Sequence, residues 1–341
     1  MIRVFIAGLL CCAWLRGEDL TPLVGVVEIY GAHKISQNKI RSVLGIREGA
    51  PLPASRGELE DKLNQTSGIV ASRVEVACCL DAKLIVYVGI LEKNSPHVEF
   101  RPEPDGDITL PTEITQNYAD FLETVDQSIR LDQKGENLSQ GYSLMENSAS
   151  RGYQQAFIPL AAKYLDVLHR VIRTSRDSEQ RGMAAYVLQY GPRGPRTSSQ
   201  LVNDLQYALQ DVDDTVRANA IRALTAMYVG STLHPDQGVV IQPTWFVELL
   251  NSVAWSDRHN AAVALVDMTD KRDADTLQTI RERALPSLVE MARWHDLSHA
   301  LPAFILVGRL AGIPEKQIQD AWVNSDREEV IKQALRKKQS S

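Results

Sequence analysis

The chain has 341 residues, a formal net charge of −6 at pH 7 and 44% hydrophobic residues. This length allows two domains or one extended solenoid, and the balance of apolar and charged residues excludes a disordered or collagen-like chain. The acidic charge argues against a nucleic-acid partner, because counterion release from phosphates needs a basic protein face.

The first 17 residues have the layout of a secretory signal peptide. Arg3 supplies a positive charge, residues 4–15 are almost entirely apolar, and polar residues 16–19 end that run. The apolar run is about 12 residues long, whereas a permanent membrane helix needs about 20. We therefore expect cleavage of this segment and an exported chain, either periplasmic or secreted. A buried N-terminal strand or helix is the alternative.

Without the signal peptide, the chain keeps two adjacent cysteines, Cys78 and Cys79. In an extended segment neighbouring side chains point to opposite faces, so we expect one thiol to be buried and the other to lie near solvent. We expect two small apolar side chains here. A vicinal disulfide with a redox role is the alternative.

Residues 22–92 predict a strand, two helices and two further strands. Alternating apolar residues from Val24 predict the first strand, and Ser36 can cap the first helix. Leu59 and Leu63 mark a second short helix. Period-2 alternation and β-branched residues then predict a pair of strands that ends near Glu92.

This order of elements resembles a POTRA domain, the small periplasmic module of outer-membrane assembly factors and two-partner secretion proteins. The resemblance rests on a strand that ends in a turn glycine, a helix followed by a second turn glycine, and the closing strands: 26–31, Ile40, Gly49 and 74–92. Family members commonly have Asn where this chain has Ala32, so another small α/β fold stays open. The resemblance implies a module at residues 22–92 that recruits an extended peptide along a sheet edge, and association with the outer membrane through a partner.

Residues 93–113 read as an interdomain linker. The segment holds four prolines and the sequence Asp105, Gly106, Asp107, which oppose a continuous helix or strand.

Beyond this linker the apolar spacing changes from about 2 to about 3.6 residues, which predicts helices. We expect two helices at 116–131 and 138–147 around a break at Gly135. A single apolar stripe from Phe157 to Ile172 predicts another.

The clearest motif of the helical region is 213–217, Asp-Asp-Thr-Val-Arg, followed by small residues at Ala220 and Ala223. An aspartate can cap the helix, and the alanines allow another helix to approach closely. The pattern recurs around Arg181 and Arg258, with Asp177 and Asp257 available as caps. A looser fourth copy covers 277–307, and 320–338 reads as a terminal capping pair.

This recurring motif resembles the second helix of a HEAT repeat. The resemblance implies a mixed fold in which a small α/β domain is followed by an all-α HEAT-like solenoid over residues 114–341. An irregular helical bundle is the alternative. A solenoid has a concave and a convex surface, which usually bind proteins or peptides. Asp214 and Arg217 then have a structural role in tying repeats together.

Trp255 and Trp294 are the candidate protein-binding residues. Aromatic side chains dominate interface energetics, so either indole would be an anchor if it were exposed on the concave face. Both indoles could instead fill the core.

Other clusters do not predict a catalytic or metal site. His295 and His299 have metal-ligand spacing, but a third ligand is not evident and Asp296 suits a helix start between them. The mixed charges of 267–275 fit a solvated turn better than a calcium site. No phosphate loop, nucleophile elbow or dinucleotide fingerprint is present, so we expect neither a cofactor nor an enzyme.

The function that these patterns favour is an interaction scaffold or adaptor in the bacterial cell envelope, with an unidentified protein or peptide partner. Two alternatives stay open. One is a chaperone for exported polypeptides. The other is an enzyme like the chromophore lyases among HEAT-like proteins, which act in the cytoplasm and so fit an exported chain poorly.

Overall fold

A computed structural model describes residues 22–339 of the chain apart from residues 54 and 134, and the predicted signal peptide lies outside the described residues. The described chain forms two compact units. One unit comprises residues 99–245, and the other comprises residues 22–98 together with 246–339. The helical region predicted at 114–341 is therefore divided between them.

The unit formed by residues 22–98 and 246–339 begins with the predicted α/β elements. They are β1 (Val24–Tyr30), α1 (Gln37–Leu44), α2 (Arg56–Asn64), β2 (Ile69–Leu80) and β3 (Lys83–Glu92). β3 is the central strand, parallel to β1 and antiparallel to β2. The apolar faces of both helices pack on this sheet: Ile40, Leu44, Leu59 and Leu63 meet Val27, Val86 and Val88. Ser36 caps α1 as predicted, because its side chain accepts from the Lys39 amide.

The outer edges of this sheet carry hydrogen bonds from neighbouring segments. On β1, Arg41 donates to Val27 O at 2.8 Å, and the Gly49 amide donates to Val24 O at 2.7 Å. On β2, the Val74 amide donates to the Glu60 carboxylate at 2.7 Å. A peptide that adds to either edge has to replace such bonds.

Cys78 and Cys79 differ from the sequence-based expectation. The pairing of β2 with β3 shifts register between Ala77 and Leu80, so both cysteines lie in an irregular stretch at the end of the hairpin. The alternation that would bury one of them is lost there. Both residues are exposed and joined in a disulfide.

The unit formed by residues 99–245 is mostly helical. Its helices are α3 (Thr112–Arg130), α4 (Ser148–Lys163), α5 (Leu165–Thr174), α6 (Ser178–Leu188), α7 (Pro195–Ala208) and α8 (Asp214–Leu233). Two sequence predictions are wrong here. Residues 138–147 form part of a hairpin of β4 (Glu136–Asn137) and β5 (Leu144–Met145) instead of a helix. The stripe 157–172 is broken at Tyr164, which leaves helical geometry with φ −114° and ψ 23°.

The helices of residues 246–339 follow the same alternation of paired elements. They are α9 (Thr244–Leu249), α10 (Trp255–Met268), α11 (Ala274–Ala292), α12 (Leu297–Ala311), α13 (Glu315–Val323) and α14 (Arg327–Gln339). The predicted fourth copy corresponds to α11 and α12. The charged stretch 267–275 includes the turn before α11, as predicted.

A shared arginine geometry establishes the helical repeat. Near the start of α6, α8 and α10, an arginine donates to the carbonyl six residues earlier: Arg181 to Ser175 O at 2.8 Å, Arg217 to Asp211 O at 2.8 Å and Arg258 to Ser252 O at 2.6 Å. Within each unit the second helices of successive pairs pack together, α6 with α8 and α10 with α12. The C-terminal part of the chain is thus a helical repeat.

The predicted helix caps are confirmed in two repeats and wrong in one. Asp177 caps α6 and Asp213 caps α8 by accepting amide hydrogens. In the third, Ala254 holds the cap position. Asp257 lies within the first turn and accepts from the Ser252 hydroxyl at 2.7 Å. Among the described helices, none is both long and apolar enough to cross a membrane.

Candidate protein-binding surface

Residues 99–110, called the strap below, are bound along the unit of residues 99–245. Pro102 and Pro104 fix their own φ angles and favour extended backbone in the residues before them. The Arg101 amide donates to Gln210 O at 2.8 Å. Further along, the Gly106 amide donates to Thr174 O at 2.9 Å, and the Arg176 amide donates back to Gly106 O at 2.8 Å. The strap is therefore held by its main chain at the turn before α6 and at the turn before α8.

Side chains of the strap add aromatic and charged contacts. The Phe100 ring lies 4.0 Å from the guanidinium carbon of Arg217. The Arg101 guanidinium lies 3.7 Å from the centre of the Tyr207 ring and donates to Tyr207 O at 2.7 Å. Glu103 approaches Arg181 at 3.9 Å. These contacts combine cation–π attraction with opposite charge.

The arginines beneath the strap are held in place by their own repeat. Arg181 is fully buried, and its Nε and Nη2 donate to Asp211 at 2.7 and 2.9 Å. Burial alone would lower the pKa of Arg181, but the hydrogen bonds and the charge of Asp211, with smaller contributions from Glu103 and Asp213, together raise that pKa. Arg217 donates to the carbonyls of Asp211 and Val212. Such preorganised side chains lose little entropy when they bind a ligand.

Gly106 lies where the strap comes closest to the helices. A Cβ atom at this position would lie 2.4 Å from Thr174 O, a distance that real Cβ atoms do not adopt. Only glycine permits this approach of two backbones.

We call the face that receives the strap the turn surface. It consists of the turns before α6 and α8 with the adjoining helix ends: Thr174, Arg176, Gln180, Arg181, Tyr207, Gln210 and Arg217. The sequence-based interpretation of 93–113 as a linker missed this binding, because it weighed the prolines only as helix and strand breakers. Gly106 between two aspartates was the signal that a close backbone approach was required.

Trp255 and Trp294 lie elsewhere, in the unit of residues 22–98 and 246–339. They are only 7% and 2% exposed. The Trp255 ring stacks on Tyr87 with centroids 4.7 Å apart, and Trp294 meets the same tyrosine edge-on at 5.1 Å. The exposure that a binding anchor requires is thus not met in this structure. Both indoles instead join the α/β elements to α10 and α12.

The junction between the α/β elements and α10 and α12 also contains His299 and His295, and their partners there account for their positions. His299 Nδ1 is hydrogen-bonded to the Tyr87 hydroxyl at 2.7 Å, and His295 is paired with Glu28 at 2.8 Å. Asp296 caps α12 between them, as predicted, so the two rings have different partners. Among the described residues, no cluster of His, Cys, Asp or Glu could hold a metal ion.

A third histidine of this junction, His259, is buried with one ring nitrogen unpaired among the described residues. His259 stacks on Trp255 with centroids 5.3 Å apart, and its Nδ1 has no hydrogen-bond partner among the described residues. Burial, with a smaller contribution from His299, lowers the pKa of His259 to about 3. Burial also lowers the pKa of His299. Both rings are neutral at physiological pH, and they make the junction sensitive to acid.

A cleft of about 320 Å³ lies between α11 and α12, lined in part by Arg272, Arg281 and Arg309. These arginines already serve the end of α12. Arg272 donates to Ile313 O, Arg281 to Leu310 O, and Arg309 to Glu315. These bonds occupy one donor of each arginine, whereas Arg281 Nη1 has no hydrogen-bond partner among the described residues.

Comparison with known proteins gives structural neighbours only. No protein-family model and no curated protein matches the chain. A designed armadillo repeat protein is 18% identical, with a TM-score of 0.36 over 57% of this chain and 88% of its own. Another, in complex with the peptide (KR)4, is 15% identical, with a TM-score of 0.37 over 67% and 98%. Computationally designed armadillo repeat proteins for modular peptide recognition are 15% identical, with a TM-score of 0.37 over 65% and 98%. Our assignment of a helical repeat rests on the chain's own helix pairs.

Proposed function

We propose that this chain is a non-enzymatic scaffold of the bacterial cell envelope that binds an extended segment of a protein partner. The observation that carries the proposal is the strap, because the turn surface binds this extended segment through main-chain bonds at Arg101, Gly106 and Leu110 and through ring contacts of Phe100 and Arg101. A surface that holds one extended segment in this way has the donors, acceptors and rings to hold another.

The envelope location and the POTRA-like character are parts of the same proposal. Export is supported by the charge and apolar pattern of residues 1–17. A POTRA-like module is supported by the order of strands and helices and by the mixed three-stranded sheet. On this proposal the module engages a second partner, and Glu60 has to release the Val74 amide for a strand to add at β2.

Site-specific photo-crosslinking in living cells tests the proposal. A photoreactive residue replaces Val212, which is 50% exposed in the turn before α8, and in a matched control it replaces the exposed Val323 on α13. We expect one partner to be crosslinked at position 212 and not at 323, and the purified partner to bind the purified chain. Equal or absent crosslinking at the two positions would overturn the binding role of the turn surface.

Fractionation of the same cells tests the location. We expect the chain in the envelope fraction with a new N-terminus after residue 17. An intact N-terminus on a cytoplasmic chain would overturn the envelope assignment while leaving the binding role open.

A further inference from the structure

We propose that the strap is a displaceable internal ligand, and that the partner presents an acidic, proline-containing extended segment that competes with it for the turn surface. This inference rests on the proposed function and adds the chemistry of the partner and a mechanism of regulation. The strap shows which ligand the surface accepts, since it is the segment seated there.

The chemistry of the two sides is complementary. Residues 99–110 contain four carboxylates and one arginine, a net charge of −3. Arginines of the turn surface face them: Asp107 pairs with Arg176, and Glu103 approaches Arg181. An aromatic ring at one end stacks on Arg217. The matching ligand is therefore an extended segment with an aromatic residue followed by spaced acidic residues and prolines.

The strap binds weakly enough to be exchanged. The side chains of Glu103 and Asp107 are 59% and 76% exposed, and ion pairs of such exposed carboxylates contribute little to binding. Along the strap, half-buried and exposed residues are interspersed, and Leu110 is its buried end, with its amide bonded to Gln180 at 2.7 Å. The surface below keeps its shape without the strap, because Asp211 holds both Arg181 and Arg217.

Because the strap is covalently part of the chain, it competes for the turn surface better than a free ligand does. A short tether presents a segment at an effective concentration on the order of millimolar, so a free ligand of micromolar affinity competes at a large disadvantage. Releasing the strap should raise the apparent affinity for such a ligand by up to about 1,000-fold, the ratio of a millimolar effective concentration to a micromolar dissociation constant. The wild-type chain then binds only a partner whose concentration or affinity is high enough to displace the strap.

Glycine substitutions test the inference in the full chain. Gly106→Ala places a Cβ atom against Thr174 O and should release the strap. Gly152→Ala on α4 is the matched control, because a Cβ atom there meets nothing within 4 Å. The probe is a fluorescein-labelled peptide with the sequence of residues 98–111, and its binding is followed by fluorescence anisotropy. Chymotrypsin cleavage after Phe100 reports strap release independently.

We expect Gly106→Ala to be cleaved faster after Phe100 and to bind the peptide at least tenfold more tightly than wild type or Gly152→Ala. A peptide with its acidic residues replaced by the corresponding amides should bind at least tenfold more weakly. A second variant, Phe100→Ala with Asp107→Asn, releases the strap without the backbone clash and should bind the peptide as tightly as Gly106→Ala. Because it lacks the cleavage site at Phe100, only its peptide binding is measured.

Two outcomes would overturn the inference. In one, both variants retain native circular dichroism and Gly106→Ala is cleaved after Phe100, but neither variant binds the peptide; a partner crosslinked at position 212 would still support the proposed function. In the other, sedimentation shows that the released variants dimerise, which makes a second copy of the chain the occupant.

Discussion

The Phe100 ring lies 4.0 Å from the guanidinium carbon of Arg217. In the other unit, the Tyr30 ring lies 4.4 Å from the guanidinium carbon of Arg258, which holds the equivalent place in its repeat. In both cases the arginine is fixed to a turn carbonyl and a ring from the N-terminal third of the chain covers its flat face. The repeat thus provides the same fixed arginine twice: Arg217 stacks on a ring of the strap, and Arg258 stacks on a ring of the α/β elements.

Replacing Arg217 should weaken the binding of the strap. Arg217→Lys removes the planar group that stacks on Phe100, since lysine cannot reproduce the stacked and forked geometry. We expect faster chymotrypsin cleavage after Phe100 and a loss of about 1 to 2 kcal/mol in the free energy of unfolding. Arg293→Lys, at a partly exposed pair with Glu328, is the control and should change neither quantity appreciably. Equal cleavage in both variants would contradict the role of the stack.

The Tyr87 hydroxyl should stabilise the unit of residues 22–98 and 246–339. Tyr87→Phe leaves His299 Nδ1 buried without its partner at 2.7 Å, which costs about 1 to 3 kcal/mol. Urea unfolding followed by tryptophan fluorescence measures this loss, because Trp255 and Trp294 pack on the same ring. Tyr153→Phe, at a half-buried tyrosine on α4, serves as control. An unchanged midpoint for Tyr87→Phe would show that another group satisfies His299.

Acid should destabilise the same unit through His259. Its pKa is lowered to about 3 in the folded chain, against about 6.5 in the unfolded chain. Stability is therefore complete above pH 6.5 and falls as the pH drops toward 3, by up to about 1.4 kcal/mol per pH unit for this one proton. Urea unfolding between pH 7.5 and 4 should show a shallower fall for His259→Gln than for wild type. The exposed His97, changed to Asn, should leave the slope unaltered.

The sequence predicted helices and strands well where one periodicity covered a whole element. Three helix starts were predicted from their capping residues, Ser36, Asp177 and Asp213. This was possible because capping is a local interaction between a side chain and the next few amides. Period alone could not show that the apolar stripe from 157 to 172 breaks at Tyr164, since both halves bury the same face.

The candidate site was harder to predict because it depends on contacts distant in sequence. Trp255 and Trp294 are covered by Tyr87, which lies more than 150 residues before them, and no local pattern reveals that ring. The binding of the strap likewise depends on the turns at 174–176 and 207–211. A bound strap and a loose linker have the same composition.

The ionised Asp267 carboxylate should lower the stability of the folded chain at neutral pH. Burial raises its pKa to about 6, and one of its carboxylate oxygens has no hydrogen-bond partner among the described residues. Because the pKa is raised, the folded chain disfavours the ionised form of Asp267. The resulting loss of stability is fully present above pH 6 and disappears below about pH 3.8, the pKa of this carboxyl in the unfolded chain. We expect Asp267→Asn to stabilise the chain by roughly 1 to 2 kcal/mol at pH 7.5, a figure discounted for partial exposure, and to give no gain near pH 3.5. Thermal unfolding at the two pH values checks this.

The cysteine pair should be open to reagents in the folded protein. Cys78 and Cys79 are exposed, so a small phosphine should reduce their disulfide without denaturant. Intact-mass measurement of a chain that lacks residues 1–17, and with them Cys11 and Cys12, should show no alkylation before reduction and two alkylated thiols after it. Alkylation without reduction would show that the pair is a dithiol under the conditions used.

The bond from the Tyr30 hydroxyl to Val253 O, 2.7 Å long, joins residues that are 223 positions apart. Close backbone approach at Gly89, where a Cβ atom would lie 1.8 Å from Val253 O, strengthens the same connection. Synthesis proceeds from the N-terminus, so the α/β elements emerge long before the helices that cover their aromatic residues. Until then Tyr30 and Tyr87 are uncovered, and such surface is prone to aggregation. A nascent chain therefore exposes these rings until Trp255, Trp294 and His299 have been made, and a holding chaperone that acts before then would protect it from aggregation.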